Sequence, residues 1–451
     1  MNTDMATTAP PLARHIPMEV CENFIDMLYS PYRDFSDELE NFAALRSCAL
    51  VCRDWCIRAQ RMLFYAVHLN DAASLYRFAA VLQAGPHLYA CVHEVTLISR
   101  SLHTTASVLT LFPAVFAGKL PNLQRFRVWR MSDSESDAWF PATPESGSAK
   151  AKALPHAPLH PHFPVLIASF TTISTLQLAY IMFRSFGEFA RVVYSLPTVE
   201  TLMCHSVAWT TLGPLPAFMG TNGYSGRRTS RFAPNLRLLK YFASSIYGIQ
   251  RLISACGPHL PRLWISFPLP DSLTELENNK GEGLDLSSCS ALQKFTVRPT
   301  AEFSTDERFG YLLSTMLSSW KNPQPHAQLA FGVWYQTCHF TRQGYADILN
   351  ALGTTADGWL EDMQKASDTT DVSGDTSANG SECQVFVRIY DWESRREWWW
   401  GHITASFPTW AKLGRLELGY SMPSTPRYQW KPDDDDDDDE QPYGTVASCS
   451  S

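Results

Sequence analysis

The sequence predicts an α/β protein: three short helices at the N-terminus, then a long array in which strands and helices alternate. Three observations carry that prediction. Two stretches, "IPMEVCENFIDML" (Ile16 to Leu28) and "LRSCALVCRDWC" (Leu45 to Cys56), place apolar residues at helical spacing. Downstream, short β-favouring runs alternate with amphipathic helical patterns, and their centres recur at roughly 26 to 36 residues outside the long insertions. The 451 residues are 45% hydrophobic and 12% aromatic, enough for a large buried core.

Taken in order, Pro17 belongs in the first turn of the first helix, where its missing N–H has no intrahelical partner to lose. Glu19 and Glu22 lie near the positive end of that helix, and Val20, Phe24, Ile25 and Leu28 form its apolar stripe. A second stripe runs through Phe42, Leu45, Ala49 and Leu50. "VCRDW" then turns the chain into a third helix reaching about Leu63 and Phe64. Ten strands follow: "VHEVTLIS", "LQRFRVWR", "ISTLQLAY", "VETLMCHS", "LRLLKYFA", "LPRLWISF", "LQKFTV", "QLAFGVW", "CQVFVRIY" and "LGRLELG". Between them, "RSFGEFARVVYSL", "IYGIQRLISACG" and "RFGYLLSTMLSSW" show apolar side chains three and four apart.

Several strands share an opening phrase, as in "LPNLQRFRV", "APNLRLLKY", "LPRLWIS" and "CSALQKFTV", in which a turn precedes the leucine that begins the alternation. A strand–helix unit cannot bury its apolar faces alone, so neighbours stack. The rhythm resembles a degenerate leucine-rich repeat array, which implies an irregular solenoid over about residues 67–420. No unit carries the full repeat consensus with its asparagine. A doubly wound parallel sheet fits the same alternation and stays open as the alternative.

Three stretches are too polar to fold alone: about 131–162, "QKASDTTDVSGDTSANGSE" (364–382), and the tail over 421–451; residues 1–14 join them as disordered. The tail holds "DDDDDDDE" (Asp433 to Glu440), whose eight negative charges account for the whole formal charge of −8. The remaining body has 37 basic and 37 acidic residues, so bulk charge offers no case for a nucleic-acid or anionic-membrane partner. The run itself reads as a solvated tail, with recruitment of a basic partner or divalent ions as the alternative. Eleven scattered cysteines and the lack of a signal-like stretch point to reduced thiols in a cytoplasmic or nuclear, soluble protein. The charge-free run Phe163 to Phe183 is too rich in hydroxyl and amide groups for a membrane span.

A three-helix package of about 50 residues hides only about 60% of its unfolded surface. Apolar side chains therefore stay bare unless the downstream array or a separate protein covers them. Here the residues resemble a known family. "IPMEV", the apolar helix ending at Leu28, "LRSCALVCRDW" and "MLFYAVHL" are similar to the F-box-like domain of mushroom-forming fungi, and "SLYRFAAVLQAGPHLYACVHEVTL" (74–97) resembles its continuation. The resemblance covers about residues 15–97, with the three-helix module at 15–66. It implies docking on the Skp-type adaptor of a cullin ubiquitin ligase, with the C-terminal array holding an unidentified protein substrate. Ile16, Pro17, Val20, Leu45, Leu50, Val51 and Trp55 match the family's docking and packing motif; Trp55 fits either the internal core or the interface. The sequence departs from the family in having Ile16 in place of leucine and in the long connection "YSPYRDFSDELENFAA".

No residues suggest catalysis: a Gly-x-Ser-x-Gly elbow, a phosphate-cradling glycine loop and a His-Glu-x-x-His helix are all missing from the sequence. No cofactor is expected. Cys48, Cys52 and Cys56 fall four apart, but on one continuous helix the outer two would stand about 12 Å apart along the axis, too far to share a zinc ion. They read as small buried hydrophobes. His156, His160 and His162 read as loop composition, and no metal is expected. "EWWWGHI" (Glu397 to Ile403) points three rings about 100° apart, so at least one faces outward while packing explains two. With Arg395 and Arg396 beside them, a substrate contact is the alternative. The expected function is a non-enzymatic ubiquitin-ligase adaptor, with a stand-alone interaction scaffold and an unrecognised α/β enzyme as rivals.

Overall fold

A computed structural model of the chain describes residues 17–28, 35–99, 107–130, 156–157, 159–211, 232–242, 249–266, 284–298, 307–320, 323, 326–334, 342–370, 383–391 and 395–421. The three N-terminal helices are α1 (Met18–Met27), α2 (Phe35–Cys48) and α3 (Arg53–Tyr65). Pro17 stands immediately before α1, and its carbonyl accepts from the Val20 and Cys21 N–H groups. Ile25, Leu45 and Ala59, one from each helix, form a small core ringed by Phe42, Trp55, Met62 and Leu63. Arg58 of α3 grips the Asp26 carboxylate of α1 through two N–H groups. Among the described residues this core is separate from the much larger one downstream.

From α3 the chain passes directly into strand β1 (Ala66–Leu69), the first of an eleven-stranded sheet. The others are β2 (Glu94–Ser99), β3 (Arg125–Arg130), β4 (Thr175–Ala179), β6 (Thr201–His205), β8 (Leu238–Phe242), β9 (Arg262–Ser266), β10 (Lys294–Arg298), β11 (Gln328–Trp334), β12 (Gln384–Tyr390) and β13 (Leu416–Ser421). All pairings are parallel, and strand order follows chain order from one edge to the other. The order never reverses, so the switch-point crevice of a doubly wound sheet does not form. All ten strands expected from the sequence are present. β1 adds one more, and β5 (Met182–Ser185) and β7 (Ala208–Thr211) form a separate parallel pair.

The crossovers carry α4 (Ala72–Ala84), α5 (Val108–Phe116), α6 (Phe163–Ile167), α7 (Phe186–Tyr194), α8 (Ile249–Cys256), α9 (Glu307–Ser319), α10 (Arg342–Thr370), α11 (Arg396–Ser406) and α12 (Pro408–Lys412). The sheet register is in phase throughout. One buried row runs Val95, Phe126, Leu176, Leu202, Leu239, Leu263, Phe295, Leu329, Val385; a second runs Leu97, Val128, Leu178, Cys204, Tyr241, Ile265, Val297, Phe331, Val387. The apolar stripes of the helices, such as Phe189 and Val193 of α7, Leu252 and Ile253 of α8, and Leu349 and Leu352 of α10, join these rows in one core. Residues in the opposite phase of each strand form the other, more open face, where Arg262 and Arg388 are exposed, Lys240 and Lys294 half-buried, and Gln177, Ser266 and Phe386 buried.

The shared opening phrase has a structural cause. Its leucine-like residue, Leu123, Ile173, Val199, Leu236 or Leu292, is buried just before each strand. The preceding polar residue ties the turn to its neighbour: Asn122 donates to the Ala90 carbonyl at 2.7 Å, Thr172 to Leu123 at 2.8 Å, Thr198 to Ile173 at 2.8 Å and Asn235 to Pro197 at 2.9 Å. Each bond gives a turn carbonyl a partner that the strand ladder does not supply.

The sequence expectations for residues 1–14 and 422–451, and for most of 131–162, fall outside the described residues. At 364–382 the structure differs from expectation, because α10 continues to Thr370. Its apolar residues up to Met363 lean on the core, and the helix extends past them. No helix among the described residues is long and apolar enough to cross a membrane.

Candidate functional site

Two surfaces stand out. The first is on the N-terminal package. Cys21 and Ile25 point α1 inward, which leaves Val20, Phe24 and Met27 on an outward stripe at i, i+4 and i+7. Phe24 is 65% exposed and Met27 is 70% exposed. The turn after α2 adds Leu50 at 87% and Val51 at 62%, and α3 adds Ile57. Of the positions singled out in the sequence, Pro17, Val20, Leu50 and Val51 are exposed. Leu45 is buried in the small core and Trp55 is half-buried against it, so both take a packing place. Ile16 lies outside the described residues. α3 packs near β1 and the turn at Pro86–Cys91, and Phe42 meets His68 edge-on at 6.3 Å, so the package sits at the β1 edge of the sheet.

The second surface, which the sequence reading missed, is the open face of the sheet. At the β2–β3 end both cations have an ion-pair partner, because the buried Glu94 is shared by Arg125 at 3.4 Å and Arg127 at 2.9 Å. Toward the other end cations outnumber carboxylates further. From β8 to β13 the open-face positions hold Lys240, Arg262, Lys294, Arg298 and Arg388 against one carboxylate, Glu417. The neutral balance of the chain body therefore does not extend to this face.

Aromatic rings alternate with these cations. The Lys240 ammonium lies 4.5 Å from the Trp264 ring centre, the Lys294 ammonium 5.1 Å from that of Phe386, and the Arg388 guanidinium 5.4 Å from the same ring. His205 stacks on Phe242 at 4.0 Å, and Phe242 lies 6.0 Å from Trp264. Lys294 also donates to the Gln328 side chain.

Ionisation reflects both burial and this field. Burial, then Lys240 and Arg298, bring His205 down to about 4; burial, then Arg127, do the same for His68. Burial lowers Lys240. Lys294 is lowered by burial, then by Arg388 and Arg262, with Glu417 opposing. Such a face offers fixed cations and flat rings to an extended anionic chain.

The other candidates have structural places. Trp399 is fully buried and donates through its ring N–H to the buried Asp391 at 2.8 Å, with Arg395 3.8 Å from the same carboxylate. Trp398 leans on the core and Trp400 points outward, as the 100° spacing requires. Cys48 ends α2 and Cys52 immediately precedes α3, so the three cysteines do not lie on one continuous helix; the break falls at the "VCRDW" turn between α2 and α3. Nor are they uniformly buried small hydrophobes: Cys52 is exposed, and Cys48 and Cys56 are half-buried. His156 pairs its backbone with Met182, and the His160 and His162 rings lie 5.2 Å apart. Among the described residues no three His, Cys, Asp or Glu side chains converge as a metal site. A cavity between α5, α6 and β3–β4 is lined by apolar side chains such as Leu109, Phe126, Leu176 and Phe183. No family model matches the chain, and no curated protein matches it.

Proposed function

We propose that the chain is a non-enzymatic substrate-receptor adaptor of a Skp–cullin–F-box type ubiquitin ligase. Its N-terminal helices dock the Skp-type adaptor, and the strand–helix array, read as an irregular leucine-rich-repeat-like solenoid, holds the target protein. Ubiquitin transfer is then promoted by proximity, because the bound target sits at high effective concentration near the ligase. The observation that carries this reading is the bare apolar set Val20, Phe24, Met27, Leu50, Val51 and Ile57 on a module with its own small core. A helical package serving only to cap the sheet would turn such residues toward β1, whereas these face away from the package's packed side.

The test is complex formation between the full chain and a purified Skp-type adaptor. A standard interface buries roughly 1,600 Å² in total. Burying a side chain such as Phe24 or Leu50 contributes about 1.5–3 kcal/mol, so Phe24→Asp or Leu50→Asp lowers affinity by at least ~10-fold. Both positions are exposed, so the melting temperature stays within a few degrees of wild type. Failure of the wild-type chain to bind the adaptor at micromolar concentration overturns the proposal.

A further inference from the structure

The open face of β8–β13 has an unbalanced positive charge, and the chain contains one run of matching opposite charge. We infer that this face binds an acidic polypeptide segment, and that its occupant in the free protein is the chain's own run Asp433–Glu440. The inference does not rest on the ligase reading.

Charge complementarity is the first argument. Four cations, Lys240, Arg262, Lys294 and Arg388, are spread over β8, β9, β10 and β12 with a single carboxylate, Glu417, on the same face, and eight consecutive carboxylates follow in the same chain. Arg388 and Arg262 lie close enough to Lys294 to disfavour its charge, a repulsion that an anion laid between them relieves.

Reach is the second argument. The parallel strands all end at the same edge, and the chain leaves β13 there at Ser421, two residues past Gly419, which is level with Arg388. The eleven residues 422–432 span up to about 37 Å when extended. Crossing from β13 to β8 takes five strand spacings, about 24 Å. The run can therefore reach every cation from Arg388 to Lys240. Because it is tethered, its effective concentration is in the millimolar range, well above that of a competing acidic segment in solution. A target that uses this face must displace it.

The experiment compares the full chain with a chain truncated before Asp433, each titrated with a fluorescent peptide of sequence KPDDDDDDDEQP and followed by anisotropy. The truncated chain is expected to bind the peptide, at least tenfold more tightly than the full chain does. Binding weakens steeply between low and high salt, since two of the cations, Arg262 and Arg388, are exposed and screened. Arg262→Glu with Arg388→Glu, both exposed guanidiniums, removes peptide binding at an unchanged melting temperature. A peptide with asparagine in place of each aspartate does not bind. No binding to the truncated chain, or binding indifferent to the two arginine substitutions, overturns the site. Equal binding by the full and truncated chains overturns the tail as its occupant.

Discussion

Replacing His205 with phenylalanine tests the electrostatics of the open face directly. His205 is held near pKa 4 by burial and by Lys240 and Arg298, against about 6.5 in an unfolded chain. The folded protein keeps the ring neutral while the unfolded chain takes up the proton. The associated stability is therefore complete above pH 6.5 and is lost as the pH falls toward 4. Linkage puts the loss at about 2 kcal/mol by pH 5 and about 3 kcal/mol by pH 4. His68, displaced in the same direction, adds a loss of its own over the same window. His205→Phe keeps the flat stack on Phe242 and removes a buried ring nitrogen, Nε2, that has no hydrogen-bond partner. Urea midpoints followed from pH 8 to pH 4.5 should show the variant at least as stable as wild type at pH 7.5. Its advantage should grow by about 2 kcal/mol at pH 5. A variant whose stability falls between pH 6.5 and pH 5 in parallel with wild type refutes the low pKa, and with it the positive field inferred around His205.

Two glycines of α10 separate helix propensity from packing. A methyl at Gly353 would overlap the Ser406 carbonyl oxygen at the end of α11, whereas nothing lies near a methyl at Gly358. Gly358→Ala should stabilise by about 0.5–1 kcal/mol, and Gly353→Ala should destabilise by about 1–3 kcal/mol or more, read as opposite shifts of the urea midpoint. In the tryptophan triplet, Trp399→Ala should cost about 3–5 kcal/mol because it empties a core position and strips Asp391 of a donor, while Trp400→Ala should change the melting temperature little. If Trp400→Ala also leaves target binding intact once a target is in hand, the outward ring has no contact role.

The elements were legible where the physics is local. Alternation marked every strand long enough to show it, and the four-residue strands β1, β5 and β7 were too short to give a period. Bare apolar residues at the N-terminus could be foreseen from the size of the package, but which of them face out depended on how three helices share one small core. Leu45 and Leu50 lie in one apolar stripe, yet the first is buried and the second is the most exposed large hydrophobic among the described residues. The basic face was hidden by averaging, since equal totals of acid and base say nothing about where either sits. Its cations come from strands spread over some 150 residues, from Lys240 to Arg388, and become neighbours only because the register stays in phase across the sheet. A signal was nonetheless present. In "LKYF", "RLWIS", "KFTVR" and "VRIY" the residues that alternate with the apolar row are basic, aromatic or hydroxyl-bearing and never acidic. In an array of parallel strands, charge is therefore informative when summed over one strand phase, because only that phase shares a surface.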